Sequence, residues 1–163
     1  MRYTVEEQRL ADRVQAALVD QPDREIDVFA SYARIDGAEV AGQLVSSLQE
    51  LGVSVWFDFV SIEPGVSQAL QMDRGLRAAR AGVVVLTPAY LTGRFWTERE
   101  LGALLHKPRL IPVLHNVTFD DLREYSGILP DLAGFETSRD SIPDIAEKIA
   151  GAVLPPEVTA LAP

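Results

Sequence analysis

An acid one helical turn after a tryptophan, beside the end of a buried strand, is the arrangement in this sequence best placed to do chemistry. Trp96, Thr97, Glu98, Arg99, Glu100 and Leu101 open a predicted helix, and the apolar run Gly82-Val83-Val84-Val85-Leu86 before them reads as a central strand. Thr87 to Phe95 carries the chain off that strand's carboxyl end, where open parallel sheets build their sites. A carboxylate there can act on a bound ligand by stabilising positive charge. It can equally cap its own helix. Thr97 as N-cap with Glu100 at the third helical position is a Thr-x-x-Glu capping box, in which each side chain satisfies the other's backbone N–H. Spacing alone favours the cap, and Trp96 alone reads as a helix-start packing residue.

Other chemistries find little support. No Gly-x-Gly-x-x-Gly follows a strand, and neither a Gly-x-x-x-x-Gly-Lys-Ser/Thr loop nor a Gly-x-Ser-x-Gly elbow occurs, so the common phosphate cradles and the serine-hydrolase nucleophile are missing. His106 closes a helix and His115 follows a strand, without a carboxylate cluster in the sequence to complete a metal site. With no cysteine in the chain, disulfides, thiolate zinc sites and Cys nucleophiles are excluded.

The elements that must position Glu100 alternate along the chain. Val5, Leu10, Val14, Ala17 and Leu18 predict an N-terminal helix over residues 4–20, broken by Gln21-Pro22-Asp23. Glu25 to Ser31 reads as a strand. Asp36 is expected to N-cap a helix whose stripe is Val40, Ala41, Leu44, Val45, Leu48 and Leu51, with Gly52 as its left-handed stop. A strand over Val53–Phe57, a loop from Asp58 to Gly65 and a helix over Ser67–Ala79 follow. The Gly82–Leu86 strand, the Thr97–His106 helix and an Arg109–Leu114 strand continue the alternation. Residues 115–130 form a long connection with one short helix, Leu132–Glu136 a short fifth strand, and Ser141 caps a last helix carrying Ile142, Ile145, Ile149 and Val153. The pattern predicts an α/β fold: a three-layer, flavodoxin-like, doubly wound parallel sheet of five strands with an extra N-terminal helix. The expected organisation is an N-terminal extension over 1–23, one domain over 24–154 and a disordered tail over 155–163.

Bulk properties narrow the partners. The chain of 163 residues is 47% hydrophobic and 24% charged, enough for one domain with a substantial core. A net charge of −9 argues against sequence-independent nucleic-acid binding, which needs clustered Lys and Arg, and against anionic membrane surfaces. No apolar run approaches the roughly 20 residues that span a bilayer, and the acidic N-terminus is unlike a secretory signal. The expectation is a soluble, cytoplasmic protein.

Three blocks in order resemble the Toll/interleukin-1 receptor (TIR) domains, in their bacterial form. Asp27-Val28-Phe29-Ala30-Ser31-Tyr32 resembles the first strand signature. Val55-Trp56-Phe57-Asp58 with Ile62-Glu63-Pro64-Gly65 is similar to the second strand and its long BB loop. Gly82 to Tyr90, then Phe95-Trp96 and Glu100-Leu101, resembles the third strand and the Trp-x-x-x-Glu-Leu opening of the next helix. The resemblance implies an NAD+ hydrolase or cyclase that cleaves the nicotinamide–ribose bond, active on self-assembly, in bacterial immune or antiphage signalling. NAD+ would be substrate, with no further cofactor and no metal. Glu100 matches the family's catalytic acid. Trp96, Tyr32, Arg34, Asp58 and Glu63 are the implied substrate-binding residues, and Ile62, Pro64 and Gly65 the implied homotypic contact. A sensor or effector protein is a further implied partner.

That chemistry suits a carboxylate. Nicotinamide in NAD+ already carries positive charge and can depart without protonation, leaving an oxocarbenium-like ribose. Glu100 at about 4 Å in an effective dielectric of about 20 would contribute about 4 kcal/mol of attraction, before its own desolvation. The sequence also departs from the family pattern: Ala33-Arg34 puts the cation one position later than usual after the tyrosine, and Phe59, Val60 and Ser61 replace common charged residues. The alternative is a non-catalytic TIR adaptor acting through homotypic contacts, in which Glu100 only caps.

Overall fold

Apolar continuity along the strands follows from coverage on both faces. In the computed structural model, which describes residues 3–18, 26–60, 68–92, 102–103, 106–125 and 133–154 (backbone alone for 57–60, 68–71, 92 and 123–125), β3 (Ala79–Leu86) is buried at every position except Arg80, and β4 (Leu110–Leu114) is buried throughout. Such runs mark central parallel strands. Around them lie α1 (Val5–Leu18), β1 (Ile26–Ala33), α2 (Arg34–Glu50), β2 (Val55–Val60), α3 (Gln68–Ala78), α4 (Pro88–Thr92), α5 (Phe119–Tyr125), β5 (Phe135–Glu136) and α6 (Ile142–Val153).

The sheet has five strands in the order β2-β1-β3-β4-β5, and all pairs are parallel. This is the flavodoxin-like order. One face carries Val28, Ala30, Val83, Val85, Ile111 and Val113 against α1, α2 and α6; the other carries Phe29, Val84, Leu86 and Leu114 against α3, α4 and α5. The result is the expected three layers. Each fully buried Leu or Ile, such as Leu44, Leu48, Ile145 and Ile149, contributes roughly 1.5–3 kcal/mol by leaving water. Gly75 lets α3 approach the sheet, because a Cβ there would collide with the Phe29 ring.

Helix ends show where local sequence suffices. Gly52, at φ +88°, ends α2 as expected: its N–H donates to Gln49 O at 3.1 Å and the Val53 N–H to Leu48 O at 3.0 Å, the Schellman pairing that left-handed glycine permits. Ser141 caps α6 by accepting from the Asp144 N–H at 3.2 Å. The start of α2 differs from expectation. Pairing with β2 carries β1 on to Ala33, so α2 begins at Arg34 with Ala33 as an N-cap that offers no side chain. Asp36 therefore lies inside the first turn and does not cap its own helix. The same ladder runs β2 on to Val60, so Asp58 stands within a strand where a loop had been expected.

α1 is fastened to the domain at several points. Leu10, Val14 and Leu18 enter the core shared with α2 and α6. Thr4 and Glu7 form a capping box, with Thr4 N–H to Glu7 Oε1 at 2.8 Å and Glu7 N–H to Thr4 Oγ1 at 3.2 Å. Lys148 of α6 donates to both Glu7 oxygens, at 2.9 and 3.1 Å, and Tyr3 OH donates to Lys148 O at 2.7 Å. Burial opposes the Glu7 charge, but the hydrogen bonds from Lys148 and Thr4 together with the Lys148 charge outweigh it and hold the carboxyl below its usual range. Lys148 is likewise desolvated yet raised by Glu7, Asp140 and Asp144. Burial, aided by Glu7 and Asp12, pushes the Tyr3 phenol up to about 12. The terminal stretch 155–163, expected to be disordered, lies outside the described residues.

Candidate active site

In a sheet of order 2-1-3-4-5, the connections leaving β1 and β3 turn to opposite faces, and the crevice between them at the strands' carboxyl ends is the natural ligand site. The β1 side is built by Tyr32, Ala33 and Arg34; the β3 side begins at Thr87 and Pro88. Tyr32 is half-buried, packed against the α2 side of the core, and Arg34 is exposed at the first helical position of α2. Below them Ser31 Oγ and Tyr90 OH share a buried hydrogen bond at 3.2 Å, joining β1 to α4.

A carboxylate spans the crevice. Asp36 Oδ1 accepts from Thr87 Oγ1 at 2.6 Å, and Asp36 Oδ2 from the Ala89 N–H at 2.9 Å. Thr87 is itself the N-cap of α4: its Oγ1 accepts from the Tyr90 N–H at 3.3 Å and its carbonyl from the Leu91 N–H at 3.1 Å. The acid expected to cap α2 thus caps α4 from another element. Hydrogen bonds to an ionised acceptor are shorter and stronger than neutral ones, which accounts for the 2.6 Å contact. Gly37 lies between the two flanks; a Cβ there would sit 3.5 Å from both Thr87 Cγ2 and Tyr32 Cβ.

Of the residues expected to form the site, Tyr32 and Arg34 lie at the carboxyl end of β1. The Asp58 backbone runs beside Ser31 in the β1–β2 register, one position before the residue paired with Tyr32. Trp96, Glu100, Ile62, Glu63, Pro64 and Gly65 lie outside the described residues, as does most of the helix expected over Thr97–His106. His106 Nδ1 lies 2.7 Å from Gly102 O, and His115 Nδ1 lies 2.8 Å from Thr137 Oγ1, so each ring has a structural partner. Asp27, the first residue of the strand signature, stands at the amino end of β1, away from the crevice. It accepts from the Ser54 N–H at 3.0 Å and faces Arg80 at 3.9 Å, bracing three strand starts.

Sequence reading passed over Asp36 as a bridge, Thr87, and the Ser31–Tyr90 pair. Asp36 carried one usable signal, an acid a few residues past a strand end; nothing local indicates that its partner comes from β3.

A separate cavity of about 1060 Å³ opens at the β5 edge, lined by Arg9, Arg13, Phe119, Gly134, Glu136 and Arg139 among others. Of its buried acids, Glu136 accepts from the Phe119 N–H at 2.7 Å and pairs with Arg139 at 2.8 Å. Arg13 donates to Leu110 O at 3.0 Å. The cavity lies between α1 and the β5 edge, and its buried acids, Glu7 and Glu136, already hold partners.

Comparison with known proteins agrees with this fold. The chain is 34% identical over 142 residues to the 2' cyclic ADP-D-ribose synthase AbTIR of Acinetobacter baumannii, which covers 83% of this chain and 52% of that protein. It is 32% identical over 137 residues to the NAD(+) hydrolase TcpC of Escherichia coli, covering 80% and 44%. The chain thus spans about half the length of the curated relatives it matches. Among solved structures, a metazoan TIR-STING receptor from C. gigas bound to 2',3'-cGAMP superposes with a TM-score of 0.60 at 21% identity over 84% of this chain and 42% of that one, a likeness of fold. With the TIR domain family model matching residues 28–142, across β1 to the start of α6, the chain belongs to the TIR domain family.

Proposed function

We propose that this protein cleaves the nicotinamide–ribose bond of NAD+ at the β1/β3 crevice. The observation that carries the reading is the crevice itself: β1 delivers Tyr32 and Arg34 to the switch point, and β3 delivers, through Thr87 and α4, the connection that continues in sequence to Trp96 and Glu100. The names of the bacterial relatives, an NAD(+) hydrolase and a 2' cyclic ADP-D-ribose synthase, support this substrate. In the reaction the C1'–N bond breaks, its electron pair returns to the ring and neutralises the nicotinamide, and the ribose becomes oxocarbenium-like. Water then adds at C1' and loses its proton, giving ADP-ribose; a ribose hydroxyl adding instead gives a cyclic product.

Glu100 is the group that stabilises the developing charge and holds the ribose hydroxyls, with Trp96 walling the crevice against water. Tyr32 and Arg34 contact the substrate from the β1 side, Arg34 supplying positive charge suited to the pyrophosphate. Asp58 and Glu63, the acids flanking the BB loop in sequence, are further substrate-binding residues. No other cofactor takes part, so a chelator leaves turnover unchanged. Activity depends on homotypic assembly through the loop carrying Ile62, Pro64 and Gly65. The setting is bacterial immune or antiphage signalling in the cytoplasm, with a sensor or effector as partner; among the described residues no helix is long and apolar enough to cross a membrane.

The test is nicotinamide release from NAD+ by concentrated protein, with and without a crowding surface, beside Glu100→Ala. Turnover by the wild type that falls several hundred-fold in the variant, roughly the rate equivalent of 4 kcal/mol, while light scattering shows assembly intact, supports the enzyme and its acid together. Absence of turnover from both, assembled or not, leaves the adaptor reading, in which Glu100→Ala costs only the roughly 0.5–2 kcal/mol of a lost cap.

A further inference from the structure

We propose that Asp36 is a positioning residue for this reaction: by gripping Thr87 and α4 from the first turn of α2, it holds the β1 and β3 flanks of the crevice in one fixed relation. The inference rests on the NAD+-cleavage reading and is carried by three features of the structure.

The first is economy. Asp36 leaves the amino end of its own helix without a side-chain cap and spends both carboxylate oxygens on another element. The second is location. Its partners, Thr87 and Ala89, are the first and third residues past the carboxyl end of β3, where the direction of the departing chain is set. Tyr32 and Arg34, four and two positions earlier, stand on the opposite flank. The third is depth. Ser31–Tyr90 already ties β1 to α4 in the buried layer below, so the Asp36 contacts, made from the first turn of α2, are a second and higher tie to the same β3 flank. Two ties at different depths prevent rocking that one alone permits. Gly37, with Tyr32 and Thr87 both near its missing Cβ, keeps the flanks close enough for the Asp36 side chain to reach across.

A catalytic carboxylate must be held to within a fraction of an ångström of its target, and a misplacement of about 1 Å can cost about 100-fold in rate. Loss of the bridge should therefore lower kcat more than it alters substrate binding. Four variants define the test, read by nicotinamide release as kcat and KM and by thermal unfolding. Asp36→Ala should lower kcat by about 10- to 100-fold with KM changed less than about threefold. Thr87→Val, which keeps shape but removes the hydroxyl, should give a smaller loss of the same kind, and Thr87→Ser should restore it. Ser141→Ala removes a cap of comparable strength at α6 and should lower the unfolding temperature by a similar amount with kcat unchanged.

If Asp36→Ala retains wild-type kcat, or loses no more than Ser141→Ala at equal loss of unfolding temperature, the positioning role is wrong and Asp36 is only a cap. A failure of Thr87→Ser to rescue Thr87→Val's loss also overturns it. A wild type that turns over no NAD+ defeats the underlying reading, and this inference with it; an active wild type beside an unimpaired Asp36→Ala defeats this inference alone.

Discussion

Glu7 and Asp36 both occupy the third position of a helix, and their fates differ completely. Glu7 closes a box with Thr4 on its own helix and then reaches Lys148 of α6; Asp36 ignores its own amino end and caps α4. What differs is the neighbour. Thr4 offers Glu7 a reciprocal partner, whereas Ala33 offers Asp36 nothing and β3 places a hydroxyl and an N–H within its reach. The contrast bears directly on Glu100, which also follows a threonine by three residues. The pattern alone makes Glu100 resemble Glu7; the crevice and its substrate are what would give it a role closer to that of Asp36, acting across to another element.

The comparison can be broken most forcefully at Lys148. Lys148→Met leaves Glu7 buried without its countercharge and should cost about 3 kcal/mol in urea unfolding, because an uncompensated buried charge is expensive. The double variant with Glu7→Gln should regain most of that loss; if the single variant costs under about 1 kcal/mol, the pair is not the fastening described above. Acid comes next in expected effect. The Glu7 pKa is lowered in the fold, so its contribution is fully present above the ordinary carboxylate value and is lost as pH falls through the lower folded value. Lys148 is raised, so its part is full below the ordinary lysine value and lost as pH rises through the folded one. A pH series of unfolding free energy should therefore show an acid limb that Glu7→Gln flattens.

A smaller change is expected from Asp36→Ala on stability, about 1 kcal/mol for a lost cap, read by the same urea series. Its large effect belongs to turnover, whereas Lys148→Met should disturb turnover little once the protein is folded. A reversal of that order would dissolve the distinction between the two acids. The smallest effect is Thr4→Ser, which keeps the box and should shift stability by only a few tenths of a kcal/mol, since both residues cap well.

Much of the architecture could be read from the chain. Alternating strands and helices, the uninterrupted Gly82–Leu86 run, Gly52 as a stop and Ser141 as a cap all express local rules of period, capping and left-handed conformation. The strands read too short at Ser31 and Phe57 because ladder pairing, not side-chain type, carries them to Ala33 and Val60. α4 went unread because five residues opened by a proline carry no helical period; it exists through Thr87 and Asp36. For the candidate site, Tyr32 and Arg34 could be placed at the carboxyl end of β1 from the strand signature, but the residue that joins them to the β3 flank could not.

By itself the sequence determined which segments are helix or strand, which faces are apolar, and that an acid and an aromatic follow the third strand, since these depend on neighbours within a turn or two. Only the tertiary structure decided that Asp36 serves an element 51 residues away and Glu7 one 141 residues away. The order of strands brings such groups together, and no local propensity records which polar atoms that order will leave facing one another.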